Sequence, residues 1–165
     1  MKLIMSVAVV GICALIGYER AAGLSGRIKW LNAALLMLEK VQACLKYEKM
    51  TTAELVEWLS EYESLKPLRF LPVCRERSRT GLPFPEAWKE ALKEERIPED
   101  DRKMALQIGE VLGSTEAENQ ISELMVLRSL LEQNKQQAEE EKTQKSKLYH
   151  SLGVLSGIGL AIMIW

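Results

Sequence analysis

The sequence predicts an all-α protein, a helical bundle of about six helices flanked by N- and C-terminal transmembrane helices. Three observations lead there. Ala, Leu, Glu, Lys, Gln and Met dominate while only 6% of residues are aromatic, a composition that favours helix. No run of four to eight alternating β-branched or aromatic residues is bounded by turn signals, so no strand is expected. Both ends are apolar: Leu3–Ile16 reads LIMSVAVVGICALI, and Tyr149–Trp165 reads YHSLGVLSGIGLAIMIW without one charged side chain.

The expected spans are residues 3–18 and 148–165; spanning a bilayer takes roughly 17 to 25 apolar residues, and the C-terminal stretch is near the lower limit of that length. The first stretch is expected to be retained as an anchor. A lipid-attachment site would place a small residue before Cys13, where Ile12 stands, and Glu19 and Arg20 interrupt the region in which a secretory leader would be cut. Orientation comes from the basic flanks: Arg20, Arg27 and Lys29 come after the first stretch, and Lys142, Lys145 and Lys147 precede the second. Both flanks lie toward the middle of the chain, which puts residues 20–147 in the cytoplasm.

Between the anchors, Ser25 and Gly26 are expected to open a helix whose face is Ile28, Leu31, Leu35, Leu38, Val41 (or Gln42) and Leu45, ending near Tyr47. Thr51 with Glu54 has the spacing of a capping box, and Leu55, Trp58, Leu59 and Tyr62 form the next stripe. Pro67 suits a first helical turn and Gly81 a left-handed stop, whereas Pro72 calls for a kink or a restart around Leu71. After Pro83 and Pro85, a helix over Glu86–Glu95 carries Ala87, Trp88, Ala91 and Leu92 on one side. Leu36–Leu59 and Leu68–Leu92 thus repeat a helix–turn–helix plan with one Trp each, Trp58 and Trp88.

Pro98 starts a further helix with Glu99, Asp100 and Asp101 at its positive end, its stripe being Leu106, Ile108 and Val111 up to Gly113. Ser114 or Thr115 is expected to cap the next helix, Thr115 with Glu118 repeating the capping box. From Glu116 neither Pro nor Gly occurs before Gly153, and Ile121, Leu124, Leu127 (or Met125), Leu131 and Ala138 keep helical spacing. One long helix reaching into the second anchor is expected.

Charge and motifs narrow the chemistry. With 22 basic and 23 acidic residues there is no bulk positive field for nucleic acid. The three cysteines, Cys13, Cys44 and Cys74, form no CxxC pair and read as reduced, packed thiols; one histidine, His150, is too few for most zinc sets. GxxxxGK, GxGxxG, HExxH and GxSxG are all missing from the sequence, so the expectation is no enzyme, no catalytic residue, no cofactor and no metal. The acidic residues Glu94, Glu95, Glu99, Asp100 and Asp101 around Pro98 are read as helix-start charges. Two interaction candidates stand out: the arginines Arg75, Arg77 and Arg79 as a partner-binding cluster, and Gly153 with Gly157 as a GxxxG pair for transmembrane helix packing.

Pro85–Leu92 (PEAWKEAL), Ile108–Gln120 (IGEVLGSTEAENQ) and Leu148–Leu155 (LYHSLGVL), in that order between two anchors, give the chain its resemblance to the stage III sporulation protein AB family over nearly its whole length. Pro72 and the abrupt end at Trp165 depart from the family pattern without touching those motifs. The resemblance implies a bundle similar to the F-protein platform domain of type II secretion systems and type IV pili. It further implies a non-enzymatic scaffold in the mother-cell membrane around the forespore. The partners it implies are the stage III sporulation protein AA ATPase and other membrane components of the channel. The sequence leaves room for a homo-oligomer. The rival reading is a membrane-anchored helical regulator or sensor adaptor, with residues 116–147 relaying a signal.

Overall fold

The computed structural model describes residues 2–47, 50–113 and 117–164, with side chains over 23–47, 50–113, 120–145 and at Leu148. Among these residues there are six α-helices, one 3-10 turn and no strand: α1 (Lys2–Tyr47), α2 (Thr52–Ser60), the turn Glu63–Leu65, α3 (Phe70–Arg79), α4 (Phe84–Lys93), α5 (Glu99–Gly113) and α6 (Ala117–Ile164). The all-α expectation holds. The chain forms two compact units, Met1–Ile28 with Gln136–Trp165, and Lys29–Lys135.

In the first unit the backbone is helical through 2–28 and 136–164. The expected spans fall here, at 3–18 and 148–165; apart from Leu148, their side chains lie outside the described residues, as do the surroundings of Gly153 and Gly157. Among the described residues no helix is long and apolar enough to cross a membrane. Ser25 and Gly26 do not open a new helix, since α1 runs through them unbroken. A glycine inside a helix costs only about 1 kcal/mol against alanine, too little to stop a helix that continues on both sides. Neither Gly23 nor Gly26 has a neighbour within 4 Å of an added Cβ.

The second unit holds the core. From α1 it takes Trp30, Leu31, Ala33, Ala34, Met37, Leu38, Val41 and Cys44, all buried. Leu31, Leu38 and Val41 were expected, but Leu35 and Leu45 stand half-buried at the edge. The buried band is wider than one stripe, and its small residues, Ala33 and Ala34, let neighbouring chain come close.

The capping box at α2 is present: Thr51 N–H donates to the Glu54 carboxylate at 2.8 Å, and Glu54 N–H donates to Thr51 Oγ1 at 3.3 Å. Two otherwise orphaned backbone donors are satisfied in this way. Leu55, Val56 and Leu59 are buried, whereas Trp58 and Tyr62 are only half-buried. Those two rings meet edge to face at 4.8 Å, and the Lys40 ammonium of α1 lies 3.7 Å from the centre of the Tyr62 ring. A cation held over aromatic faces covers them without full burial.

Pro67 does not open a helix; it comes after the 3-10 turn, and α3 begins at Phe70. Pro72 therefore lies in the first turn of α3, where its missing N–H has no intrahelical partner to lose. The restart occurs and the kink does not. At the other end Gly81 adopts φ 94°, with Gly81 N–H donating to Ser78 O at 3.1 Å and Leu82 N–H to Arg77 O at 3.2 Å. This is a Schellman stop, and its left-handed residue favours glycine.

On α4 all four expected residues, Ala87, Trp88, Ala91 and Leu92, are buried. On α5 the buried set is Asp101, Ala105, Ile108, Gly109 and Leu112, with Leu106 and Val111 at the margin. α6 is the single long helix expected, burying Gln120, Leu124, Leu127, Leu131 and Ala138; Leu127 takes the core position and Met125 faces out. The cap expected at Ser114 or Thr115 with Glu118 lies outside the described residues.

Candidate interaction surface

The three arginines of α3 do not form one cluster. Residues two apart on a helix point about 200° apart, while residues four apart share a face, so Arg77 turns away from Arg75 and Arg79. Arg77 reaches α4, pairing with Glu90 at 3.5 Å and also with Glu94. Arg79 reaches the other way and pairs with Glu57 on α2. Arg75 is half-buried, and its Nε lies buried without a hydrogen-bond partner. Thus α3 is tied by charge to the helix on each side. Beside this row, burial in an apolar setting pushes the Cys74 thiol up to about 11, which keeps it protonated at neutral pH. Cys44 is buried as well.

The acidic residues around Pro98 also disperse. Glu94 joins Arg77, and Glu99 pairs with Arg102 at 2.9 Å. Glu95 is buried and receives the backbone N–H groups of Arg69 and Phe70, so the start of α3, which has no cap of its own, is capped from the α4–α5 connection. Burial raises the Glu95 pKa above its ordinary value, and those N–H bonds together with the Arg69 charge offset part of the rise. Arg102 fastens the same connection by donating to Glu95 O at 2.8 Å.

Asp101 is fully buried and accepts from Asn134 Nδ2 of α6 at 2.9 Å. The sequence placed Asp101 among solvated helix-start acids, because its partner lies 33 residues away. What could have marked it is Asn134 itself, a short polar residue between Leu131 and Ala138 on the buried spacing of α6.

α4 and α5 approach each other closely at Gly109. Trp88 is buried against Phe70 at 4.8 Å and Phe84 at 5.5 Å, and its indole N–H donates to Ala105 O at 2.8 Å. A Cβ on Gly109 would lie 2.3 Å from the Trp88 ring, and one on Gly113 would lie 3.2 Å from Pro85. Two of the sequence motifs, PEAWKEAL and IGEVLG, are therefore the two sides of one seam: Trp88 and Pro85 supply the bulk, Gly109 and Gly113 the space. An isolated glycine inside the α5 pattern was the available signal.

Among the described residues no group of three or more His, Cys, Asp or Glu side chains comes together to hold a metal. In comparisons with known proteins, residues 2–165 match the sequence model of the family described as stage III sporulation protein AB. No curated protein and no solved structure matches.

Proposed function

This chain belongs to the stage III sporulation protein AB family and is a sporulation protein, and from that membership we propose that it is a non-enzymatic membrane platform of the channel between mother cell and forespore. Residues 3–18 and 148–165 cross the mother-cell membrane, and residues 20–147 stand in the cytoplasm. There the bundle meets a secretion-type ATPase, the stage III sporulation protein AA, together with membrane components of the channel.

One observation carries the reading: the helices that bound the bundle, α1 (Lys2–Tyr47) and α6 (Ala117–Ile164), continue unbroken into the two apolar terminal stretches. A scaffold that passes force or position between a bound ATPase and a membrane needs such uninterrupted helices, because a flexible linker dissipates displacement. The basic residues flanking both stretches support the cytoplasmic placement of the middle. Arg75 and Arg79 share one face of α3 and are the proposed contact for an acidic partner surface, Arg77 being turned to Glu90 and Glu94, and Gly153 with Gly157 supply small residues for close helix contact within the membrane.

The test is flotation of the full chain in lipid vesicles with the purified ATPase, with and without nucleotide. The platform reading expects the chain to float and to carry the ATPase up with it. Flotation of the chain alone, with capture of a kinase or transcription factor instead, favours the regulator reading; a chain that fails to float removes the membrane spans.

A further inference from the structure

Near its apolar stretch α6 sorts its charges by sign. Glu139, Glu140 and Glu141 stand together, all exposed; Lys142, Lys145 and Lys147 follow, and no acid occurs from 142 to 165. On α1 the apolar stretch is followed by Glu19 and then by Arg20, Arg27 and Lys29, with no further acid before Glu39. α4 interleaves its signs instead, as Glu86, Lys89, Glu90, Lys93 and Glu94. Interleaved charges suit pairs within and between helices, whereas a layer of one sign suits a partner of the other.

The depth of the basic layer on α6 fits the headgroup zone of a bilayer. Residues 142–147 rise about 8 Å at 1.5 Å per residue, and the polar layer on each side of a bilayer is about 5–8 Å thick. Leu148 comes next and is 57% exposed, a large apolar side chain left bare where the lysines stop. Lys145 and Leu148, three apart, lie on the same side of the helix, so one face passes directly from charge to hydrocarbon. Each Cα–Cβ bond tilts toward the helix N-terminus, which leads Lys142 and Lys145 away from the apolar stretch and leaves their ammonium groups at the level of the phosphates.

We propose that this layer, Lys142, Lys145 and Lys147 of α6 with Arg20 and Arg27 of α1, binds the phosphates of anionic phospholipids, so that the chain gathers acidic rather than zwitterionic headgroups around it. Residues 1–28 and 136–165 belong to one compact unit, and both helices contribute basic residues to it. The neighbouring acids do not cancel the layer. Lys145 is paired with Glu141 at 3.3 Å, both about half exposed, and a pair of this kind is weak enough in water for a phosphate to replace the carboxylate. Glu140 accepts from Gln136 at 3.2 Å. All three acids precede the lysines, on the side away from the apolar stretch and so from a negative surface. Each basic residue close to such a surface strengthens the association about fivefold. The ligand class rests on residues 148–165 meeting a bilayer, as in the platform reading; it does not rest on the ATPase.

The lipid retained by the full chain tests this. The protein is taken from vesicles of equimolar phosphatidylglycerol and phosphatidylcholine into mild detergent, and the copurifying lipids are counted by mass spectrometry. Wild type is expected to hold phosphatidylglycerol over phosphatidylcholine by about tenfold or more. Lys142→Gln, Lys145→Gln and Lys147→Gln combined should bring the ratio near one. Lys89→Gln, Lys93→Gln and Lys103→Gln combined, which remove the same charge from exposed sites on α4 and α5, should leave it unchanged, with thermal midpoints of both variants matching the wild type. A wild-type ratio near one, a wild-type ratio kept by the α6 variant, or an equal fall in the two variants would each overturn the proposal. So would loss of the bound phosphatidylglycerol to millimolar inorganic phosphate, the mark of a free-phosphate site. Flotation separates this layer from the spans: a chain that floats on phosphatidylcholine vesicles but shows no lipid preference keeps its spans and loses the layer, and one that floats on neither lipid loses both.

Discussion

Two neighbouring contacts in the bundle are made in different ways. Between α4 and α5 a buried indole lies on a glycine and donates into the opposite helix, leaving no room for another atom. From α2 through α3 to α4, the polar fastenings are partly exposed ion pairs, Arg79 with Glu57 and Arg77 with Glu90 and Glu94. The first contact fixes shape by exclusion, the second adds attraction that water and salt weaken. Substitutions at the α4–α5 seam therefore act on the fold, while the arginine row can be altered with the bundle intact.

The largest effect is expected at the seam. Trp88→Ala should lower stability by about 3–5 kcal/mol in chemical denaturation, through lost burial and the cavity left behind. Gly109→Ala should cost about 1–3 kcal/mol by overpacking against the ring. The two should not add: in the Trp88→Ala background the same alanine should be neutral or mildly stabilising, because the clash is gone and helix propensity favours it. Additive costs would mean that Gly109 serves something other than the indole.

Next comes Asp101→Ala, expected to cost about 1–3 kcal/mol because Asn134 loses a buried partner. Its effect should shrink in an Asn134→Leu background, read by the same denaturation curves.

Smaller still is Glu95→Gln, whose signature is the pH profile. With its pKa raised above the ordinary 4.5 in the folded state, Glu95 favours folding most when protonated. Its contribution therefore grows as pH falls from neutral through the raised value toward 4.5, and is lost as pH rises again. Glu54, held down by its bonds with Thr51, and Glu90, held down by Lys93 and Arg77, act in the opposite sense: their stabilisation is present above 4.5 and lost as pH falls through their lowered values. Glu95→Gln should flatten the gain in stability that comes with lowering the pH from neutral toward 4.5 and leave the fall at more acid pH in place, as measured by thermal midpoints across that range.

The smallest effect is expected for Arg79→Ala. Its pair with Glu57 is about half exposed on both sides, so removal should cost about 0–1 kcal/mol and less at high salt.

Local rules read well from this sequence. The Thr51 capping box, the Gly81 stop, the four buried residues of α4 and the unbroken α6 all rest on contacts a few residues apart. Nonlocal contacts were not legible. Asp101 and Glu95 have the composition of solvated helix-start acids, and only partners on α6 and α3 make them buried fastenings. Arg75, Arg77 and Arg79 look like one patch in a line of text, but a helix turns the middle one to the far side. α1 was divided at Ser25 because Gly and Ser punctuate loops more often than they interrupt long helices.

The central claim is a platform that binds an ATPase through its bundle. It is tested most directly by the dissociation constant of the ATPase for the full chain in vesicles, wild type against Arg75→Glu and Arg79→Glu combined, with thermal midpoints measured alongside. Weakened binding by a chain that still melts cooperatively is the expected result. Unchanged affinity in a folded, charge-reversed chain would contradict a contact through α3, and no measurable binding by the wild type would contradict the platform itself.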